Sequence, residues 1–217
     1  MIKIQIPIEV VLGVNVVSGV EVTENSGEMA ELIEEVSERL RREIKVEDLK
    51  EHPVVRAYRN FYWRIGIDPT KQRPSGEALV RRALRGNIPR INNVVDAGNI
   101  ASMETFVPIG LYDLDRVKGE LRLRFAGEGE LFRPIGGRDE KLEKNQIVLA
   151  DEEKILHVFP YRDSRETMIR KETKNVLIVA CGVPGVDKMV VETACRKASD
   201  YIVKLAGGRA EKCRMLM

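Results

Sequence analysis

The sequence has 217 residues, of which 43% are hydrophobic and 32% charged, and its formal net charge is +2. This composition excludes a disordered or fibrous protein, and the length allows one large domain or two small ones. With so small a net charge, affinity for nucleic acid must come from a local basic patch. The chain has no run of about 18 apolar residues, so no membrane span is expected.

The cysteines and histidines restrict the chemistry further. Cys181, Cys195 and Cys213 are an odd number without CxxC spacing, which predicts reduced thiols and a cytoplasmic protein. His52 and His157 are the only histidines, which disfavours a His-rich zinc site or a His-based triad. His157 lies in an apolar run and is expected to be a buried, hydrogen-bonded residue rather than a catalyst. We expect no metal site and no cofactor.

The first part of the chain is predicted to hold strands followed by helices. Alternating isoleucines and β-branched residues indicate two strands over 2–23. Apolar residues at helical spacing indicate a helix that begins at Ser26 and continues to Leu40. A second helix is expected over 46–65, with Pro53 as a point of division in its first half.

The middle of the chain changes from helix to strand. Turn residues predict a loop over 66–74 and a short helix over 76–84. Residues 90–105 tolerate another helix, although a glycine lies within them. Strand patterns then continue over 108–158, and a polar loop is expected over 160–174.

The end of the chain predicts a buried strand over 176–181, a last helix over about 186–206, and a frayed tail over 209–217. Helices dominate up to about residue 105 and strands afterwards. Because helices and strands are segregated in this way, we predict a layered α+β fold rather than a doubly wound sheet. No repeat or low-complexity linker is visible, so one domain over 1–217 is expected.

A local basic patch lies between Pro69 and Arg90, where six basic residues stand against one acidic residue. A loop that runs into a helix N-terminus offers free N–H groups and is suited to phosphate. Arg73 and Ser75, on the loop side, are the candidates for such contacts. The alternative, a capped helix with a solvated arginine face, stays open.

Four further segments contain residues suited to binding. Aromatic residues interleave with arginines over 56–64, a pattern that suits base stacking but is more typical of a core helix. Polar residues also stand in the segments 94–104 and 121–130 and in the loop 160–174. Each has a structural alternative. The polar residues of 94–104 could cap helix turns, those of 121–130 could form surface salt bridges, and 160–174 could be an ordinary surface loop. The candidates in the last three segments are Asn99, Ser102, Arg124, Glu128, Glu130, Asp163, Arg165 and Thr173.

Three runs resemble one known family. Asn99–Glu104 followed by Val107–Asp113 resembles the "NYV-x-x-E … QP-x-HAFD" run of the bacterial phenylalanyl-tRNA synthetase beta chain. LRLRFAGEGELFRPIGGRDEKLEKNQIVLAD, at 121–151, resembles that family's "I-x-VR-x-A … LDG-x-x-x-x-L … LVI-x-D". RIGIDPTKQRPSGEALVRRAL, at 64–84, is similar to free-standing proteins named for the synthetase's B-three/B-four domain. The resemblance covers most of 55–180.

The resemblance implies a single α+β globule of the editing-domain type. It divides the chain into an N-terminal strand-helix part over about 1–65, a family-like core over about 66–180 and a C-terminal helix. It also implies a cleft like the one where the synthetase domain hydrolyses tyrosine wrongly esterified to its tRNA. The family's site Asn matches Asn99, whereas Gly110 replaces the His of "HAFD" and Tyr112 replaces its Phe.

The function expected from this resemblance is an editing-type hydrolase that acts in trans on mischarged tRNA. Arg73 would meet the terminal phosphate and converge with Asn99 and Arg124 on one cleft, and the other candidates would orient amine, ribose and water. Hydrolysis by an oriented water needs no imidazole, so neither histidine is expected to be required. A non-catalytic module that binds tRNA or a synthetase, and an enzyme on a free amino-acid-like molecule, remain the alternatives.

Overall fold

A computed structural model describes residues 2–24 and 27–217, and Ser26, the expected start of the first helix, lies outside them. The helices in the described part are α1 (Gly27–Glu43), α2 (Pro53–Arg64), α3 (Ser75–Leu84), α4 (Asn93–Thr105) and α5 (Lys188–Ala206). Pro53 is the first residue of α2, with a short 3-10 turn before it, so the predicted division of the 46–65 segment is confirmed. A proline fits this position because the first N–H of a helix has no intrahelical partner.

The strands, numbered along the chain, form two larger sheets. The first sheet has the order β1-β4-β7-β8-β9, in which β1 is parallel to β4 and the other neighbours are antiparallel. Its strands are β1 (Ile2–Ile4), β4 (Leu121–Phe125), β7 (Ile147–Ala150), β8 (Ile155–Val158) and β9 (Arg162–Asp163). Strands β7 and β8, within the segment 108–158 that is predicted to form strands, are an antiparallel pair on either side of the turn at 151–153.

The second sheet is antiparallel, with β10 between β2 and β3. Its strands are β2 (Val11–Ser18), β3 (Ile109–Asp113), β10 (Asn175–Gly182), β11 (Arg209–Ala210) and β12 (Arg214–Leu216). Both β11 and β12 pair with the edge of β2 that β10 leaves free. The prediction of a frayed tail is wrong, because this open edge supplies backbone partners that the tail can bind. A small separate pair joins β5 (Leu131–Phe132) to β6 (Glu140–Lys141).

Helix α5 lies on the second sheet and also packs against α4. The approach is close, since a Cβ atom on Gly13 of β2 would meet Cys195 and the backbone of Val191. Helix α4 is buried on most sides, and Gly98 within it is tolerated because the Leu111 side chain takes the space of its missing Cβ. This packing against β3 outweighs the weak helix propensity of glycine.

The aromatic face of α2 belongs to the core. Tyr58, Phe61 and Tyr62 are buried, whereas Trp63 is exposed. The prediction that this segment forms core rather than a base-stacking surface is confirmed for the three buried rings. The observed fold is α+β, as predicted.

Cys181, Cys195 and Cys213 are free thiols, as their spacing predicts. Among the described residues, no helix has both the length and the apolar character needed to cross a membrane.

Candidate ligand-binding cleft

A cleft of about 320 Å³ lies where α3, α4, the start of β3 and the turn between β8 and β9 meet. Residues within 72–110 and within the distant segment 157–163 thus contribute to one concave surface. Its polar side chains include Arg73, Ser75, Asn99, Ser102, His157 and Asp163. The volume lies at the low end of the range for small-molecule sites.

Two of these residues lie on one face of α4. Asn99 and Ser102 are three residues apart, a spacing that brings side chains together on a helix. The hydroxyl group of Ser102 is buried and donates a hydrogen bond to the carbonyl oxygen of Val107 at 2.7 Å. Asn99 is half-buried and forms part of the cleft wall. Ser102 therefore braces the turn after α4, and Asn99 is the better placed of the two to meet a ligand.

The N-terminal end of α3 forms another side of the cleft. Ser75 is the first residue of the helix, and Pro74 at the N-cap provides no side-chain cap. Arg73 is exposed next to it. A helix start without a side-chain cap leaves backbone N–H groups available to an anion.

A basic groove adjoins the cleft along α3. It has a volume of about 320 Å³ and includes Arg73, Arg81, Arg82 and Arg85, and it shares Arg73 and Arg82 with the cleft. Within the described chain, Arg73, Arg82 and Arg85 form no ion pair, so their charge is available to a ligand.

The acidic residue of this segment is neutralised inside the protein. Glu77 accepts hydrogen bonds from Arg59 at 2.8 and 2.9 Å and from Arg81 at 2.9 Å, and its side chain is fully buried. Burial acts to raise the pKa of Glu77 and is the largest single influence. The hydrogen bonds and charges of Arg59 and Arg81 together outweigh it and hold the pKa below its ordinary value. The carboxylate thus fixes α3 against α2, and the groove remains basic.

A hydrogen-bonded cluster forms the buried side of the cleft. The hydroxyl oxygen of Tyr112 lies 2.6 Å from Nδ1 of His157 and 3.2 Å from a carboxylate oxygen of Asp163. That oxygen lies 3.3 Å from Nδ1 of His157. Burial, followed by the charge of Asp163, raises the pKa of Tyr112 well above its ordinary value, so the phenol keeps its proton.

The local backbone explains how Tyr112 reaches this position. A Cβ atom on Gly110 would overlap the hydroxyl group of Tyr112. Alternate residues of a strand share a face, so Gly110 and Tyr112 lie side by side on β3. The glycine at the position of the family His therefore leaves the space that the Tyr112 hydroxyl fills.

Five of the ten predicted binding residues line this cleft, and five do not. Those in the cleft are Arg73, Ser75, Asn99, Ser102 and Asp163. Those outside its lining are Arg124, Glu128, Glu130, Arg165 and Thr173. The expected convergence of Arg73, Asn99 and Arg124 is thus observed for the first two residues alone.

The residues outside the lining have structural partners. Arg124 and Glu130 form a two-armed ion pair at 2.9 and 2.7 Å. The hydroxyl of Thr173 donates to a carboxylate oxygen of Asp113 at 2.9 Å. Arg165 pairs with Asp139 at 2.7 Å. A carboxylate oxygen of exposed Glu128 accepts from a backbone N–H at 3.4 Å. These contacts hold loops and strand ends in place.

Sequence reasoning missed the position of His157. It is buried and hydrogen-bonded, as expected, but it also forms part of the cleft wall. The signal in the sequence is the polar pair His157 and Asp163, which flank a turn at Phe159–Pro160 and become register partners in β8 and β9. In the described residues, no group of three or more His, Cys, Asp or Glu side chains is arranged to hold a metal ion.

The fold and the cleft define an α+β protein with a candidate binding site that continues into a basic groove. Residues 57–207 match the family model of the B3/4 domain. The chain belongs to the B3/4 domain family.

Its similar proteins include phenylalanine–tRNA ligase beta subunits. The subunit of Fusobacterium nucleatum is 27% identical over 151 residues, which are 70% of this chain and 18% of that protein. The subunit of Geobacter metallireducens is 29% identical over 160 residues, 63% of this chain and 20% of that protein. The chain thus spans about a fifth of the length of these relatives.

Among solved structures, an N-terminal fragment of the phenylalanyl-tRNA synthetase beta subunit from Pyrococcus horikoshii is similar to 92% of this chain. The chain covers 46% of that fragment, with a TM-score of 0.46 and 16% sequence identity.

Proposed function

We propose that this protein is a cytoplasmic, editing-type hydrolase that removes a wrongly attached amino acid from tRNA in trans. The observation that carries the proposal is the continuity of the cleft with the basic groove through Arg73 and Arg82. The cleft would hold the aminoacyl end, and the groove would hold the phosphates that precede it.

The charge distribution supports a ligand with a phosphate backbone. Arg73, Arg82 and Arg85 are exposed, and Glu77, the acid of the same segment, is buried between two arginines. Guanidinium groups bind phosphate through two parallel hydrogen bonds. The small overall charge of the protein limits long-range attraction, so these local contacts would provide most of the RNA affinity.

The cleft supports the chemistry of ester hydrolysis. An aminoacyl ester is already activated, and its hydrolysis requires mainly a positioned water molecule and donors for the oxyanion. The amide of Asn99 and the N–H groups at the start of α3 are the donors we assign to the amino acid and ribose. The relatedness to phenylalanine–tRNA ligase beta subunits supports a substrate connected with tRNA.

A deacylation screen tests the proposal. Purified protein is incubated with a panel of mischarged tRNAs, and release of the amino acid is followed over time. We expect one or a few tRNAs to be deacylated above the spontaneous rate. Binding of tRNA without release would favour the non-catalytic module, and turnover of a free amino-acid-like compound without tRNA binding would favour the small-molecule enzyme.

A further inference from the structure

One ring nitrogen of His157, a residue that lines the cleft, has no hydrogen-bond partner among the described residues. His157 is 3% exposed, and its Nδ1 is bound by the Tyr112–Asp163 cluster. Its Nε2 is buried and has no hydrogen-bond partner within the residues that the structure describes. Since buried polar atoms are almost always paired, a side chain that lines a cleft and leaves one unpaired is a candidate to bind a ligand or a water molecule there.

The hydrogen bonds of the cluster favour one position for the proton of the His157 ring. A carboxylate group accepts hydrogen bonds and does not donate them. The arrangement that best compensates its charge has the Tyr112 hydroxyl donating to Asp163 and the N–H at Nδ1 of His157 donating to the Tyr112 oxygen. In that arrangement Nε2 carries a lone pair and no proton, so it can accept a proton.

The other groups that line the cleft are less suited to accept a proton. The thiol of Cys181 borders the cleft, but burial, followed by the charge of Asp163, raises its pKa well above the ordinary value. The guanidinium groups of Arg73, Arg82 and Arg162 are hydrogen-bond donors and have no acceptor atom. Asp163 is the acceptor within the cluster through one carboxylate oxygen, and a carboxylate is a weaker base than an imidazole.

We propose that His157 is the general base of the hydrolytic reaction, with Tyr112 and Asp163 as its positioning residues. This inference rests on the proposed hydrolase function. Water attacks the ester carbonyl carbon, and one of its protons passes to Nε2 of His157. The tetrahedral intermediate then collapses with cleavage of the bond to the ribose oxygen, which takes the proton back from His157. The products are the free amino acid and a ribose hydroxyl, and the imidazole returns to its neutral form.

This inference replaces the expectation that neither histidine is required. General acid–base catalysis contributes about 10²–10⁴-fold to rate, so His157→Gln is expected to lower kcat by a factor in that range. His52→Gln is the matched control, because His52 lies outside the cleft lining and stacks on Phe106. It should keep the wild-type rate.

The test combines nitrogen NMR with deacylation rates. In protein labelled with ¹⁵N-histidine there are two imidazoles, and the His52→Gln variant assigns the signals of His157. We expect an N–H at Nδ1 and a bare Nε2 in the wild type. Asp163→Asn, whose amide can donate to the cluster, should move the proton to Nε2 and lower kcat while the protein stays folded.

Three results would overturn the proposal. A protonated Nε2 in the neutral wild-type imidazole refutes the tautomer on which it rests. A wild-type rate in folded His157→Gln refutes the base assignment and leaves the hydrolase function standing. Failure of the wild type to hydrolyse any aminoacyl ester refutes the hydrolase function, and the general-base proposal fails with it.

Discussion

The hydroxyl group of Tyr112 occupies the space that a Cβ atom on Gly110 would need. The two positions are therefore coupled, and a side chain at 110 displaces the ring that binds His157. The absence of a side chain at position 110 of β3 therefore determines where the Tyr112 hydroxyl lies next to the cleft.

Gly110→Ala should destabilise the protein and disturb the cleft. The added methyl group cannot be accommodated without moving the buried Tyr112 ring, and overpacking of this kind costs about 1–3 kcal/mol. Urea unfolding measures the loss of stability, and the ¹⁵N signals of His157 report the disturbed cluster. Gly127→Ala is the control, since its Cβ would meet only ordinary contacts. Equal stability of the two variants would refute the coupling.

Gly76→Ala should be destabilising although it lies in a helix. A Cβ atom at Gly76 would overlap the backbone carbonyl of Phe106, which cannot move as easily as a flexible side chain. We expect a loss of about 1–3 kcal/mol in the free energy of unfolding. Gly27→Ala, in the first turn of α1 with no described residue near its Cβ position, should be neutral or slightly stabilising. If Gly76→Ala behaved in the same way, α3 would not pack directly on Phe106.

Glu77→Gln should weaken the attachment of α3 to α2. Breaking a buried ion pair by removal of one charge costs about 3 kcal/mol at neutral pH. The folded-state pKa of Glu77 lies below its unfolded value, so its contribution is fully present above the unfolded pKa and is lost as pH falls through the folded pKa. The difference in the free energy of unfolding between wild type and variant should therefore shrink as the pH is lowered from 7 to 3. A pH-independent difference would contradict the depressed pKa.

Arg82→Gln combined with Arg85→Gln should weaken RNA binding and its dependence on salt. Each phosphate contact to a single strand contributes about 0.7 to the slope of log affinity against log salt concentration, so the slope should fall by about 1.4. Lys188→Gln removes an exposed charge outside the groove and should leave the slope unchanged. A fall of the same size in the salt slope of both variants would mean that RNA binds to positive charge anywhere on the surface and not specifically to the groove.

Local sequence patterns predict where helices and strands lie better than they predict which strands pair with each other. The apolar stripe of α1 and the proline at the start of α2 determine those helices through nearby residues, so they can be read from the sequence. The strands β11 and β12 could not be predicted from the sequence, because they are short and pair with the free edge of β2, which lies nearly 200 residues earlier in the chain.

The same limit applies to the cleft. Arg73 and Asn99 can be predicted as binding residues because each lies in a run of sequence that resembles the family. The contact between Tyr112 and His157 joins residues 45 positions apart on different sheets. Tyr112 does not stand out locally because it lies in an apolar strand, and the pair of His157 and Asp163 across a turn does not indicate that Tyr112 joins them.

The most direct test of the proposed function compares two esters of the same amino acid. One is the mischarged tRNA found by screening, and the other is the aminoacyl ester of adenosine alone, which reaches the cleft but lacks the phosphates for the groove. We predict hydrolysis of both, with kcat/KM at least about tenfold higher for the tRNA, a difference of about 1.4 kcal/mol in transition-state stabilisation. The absence of hydrolysis of any tRNA ester, or equal kcat/KM for the two substrates, would contradict the account.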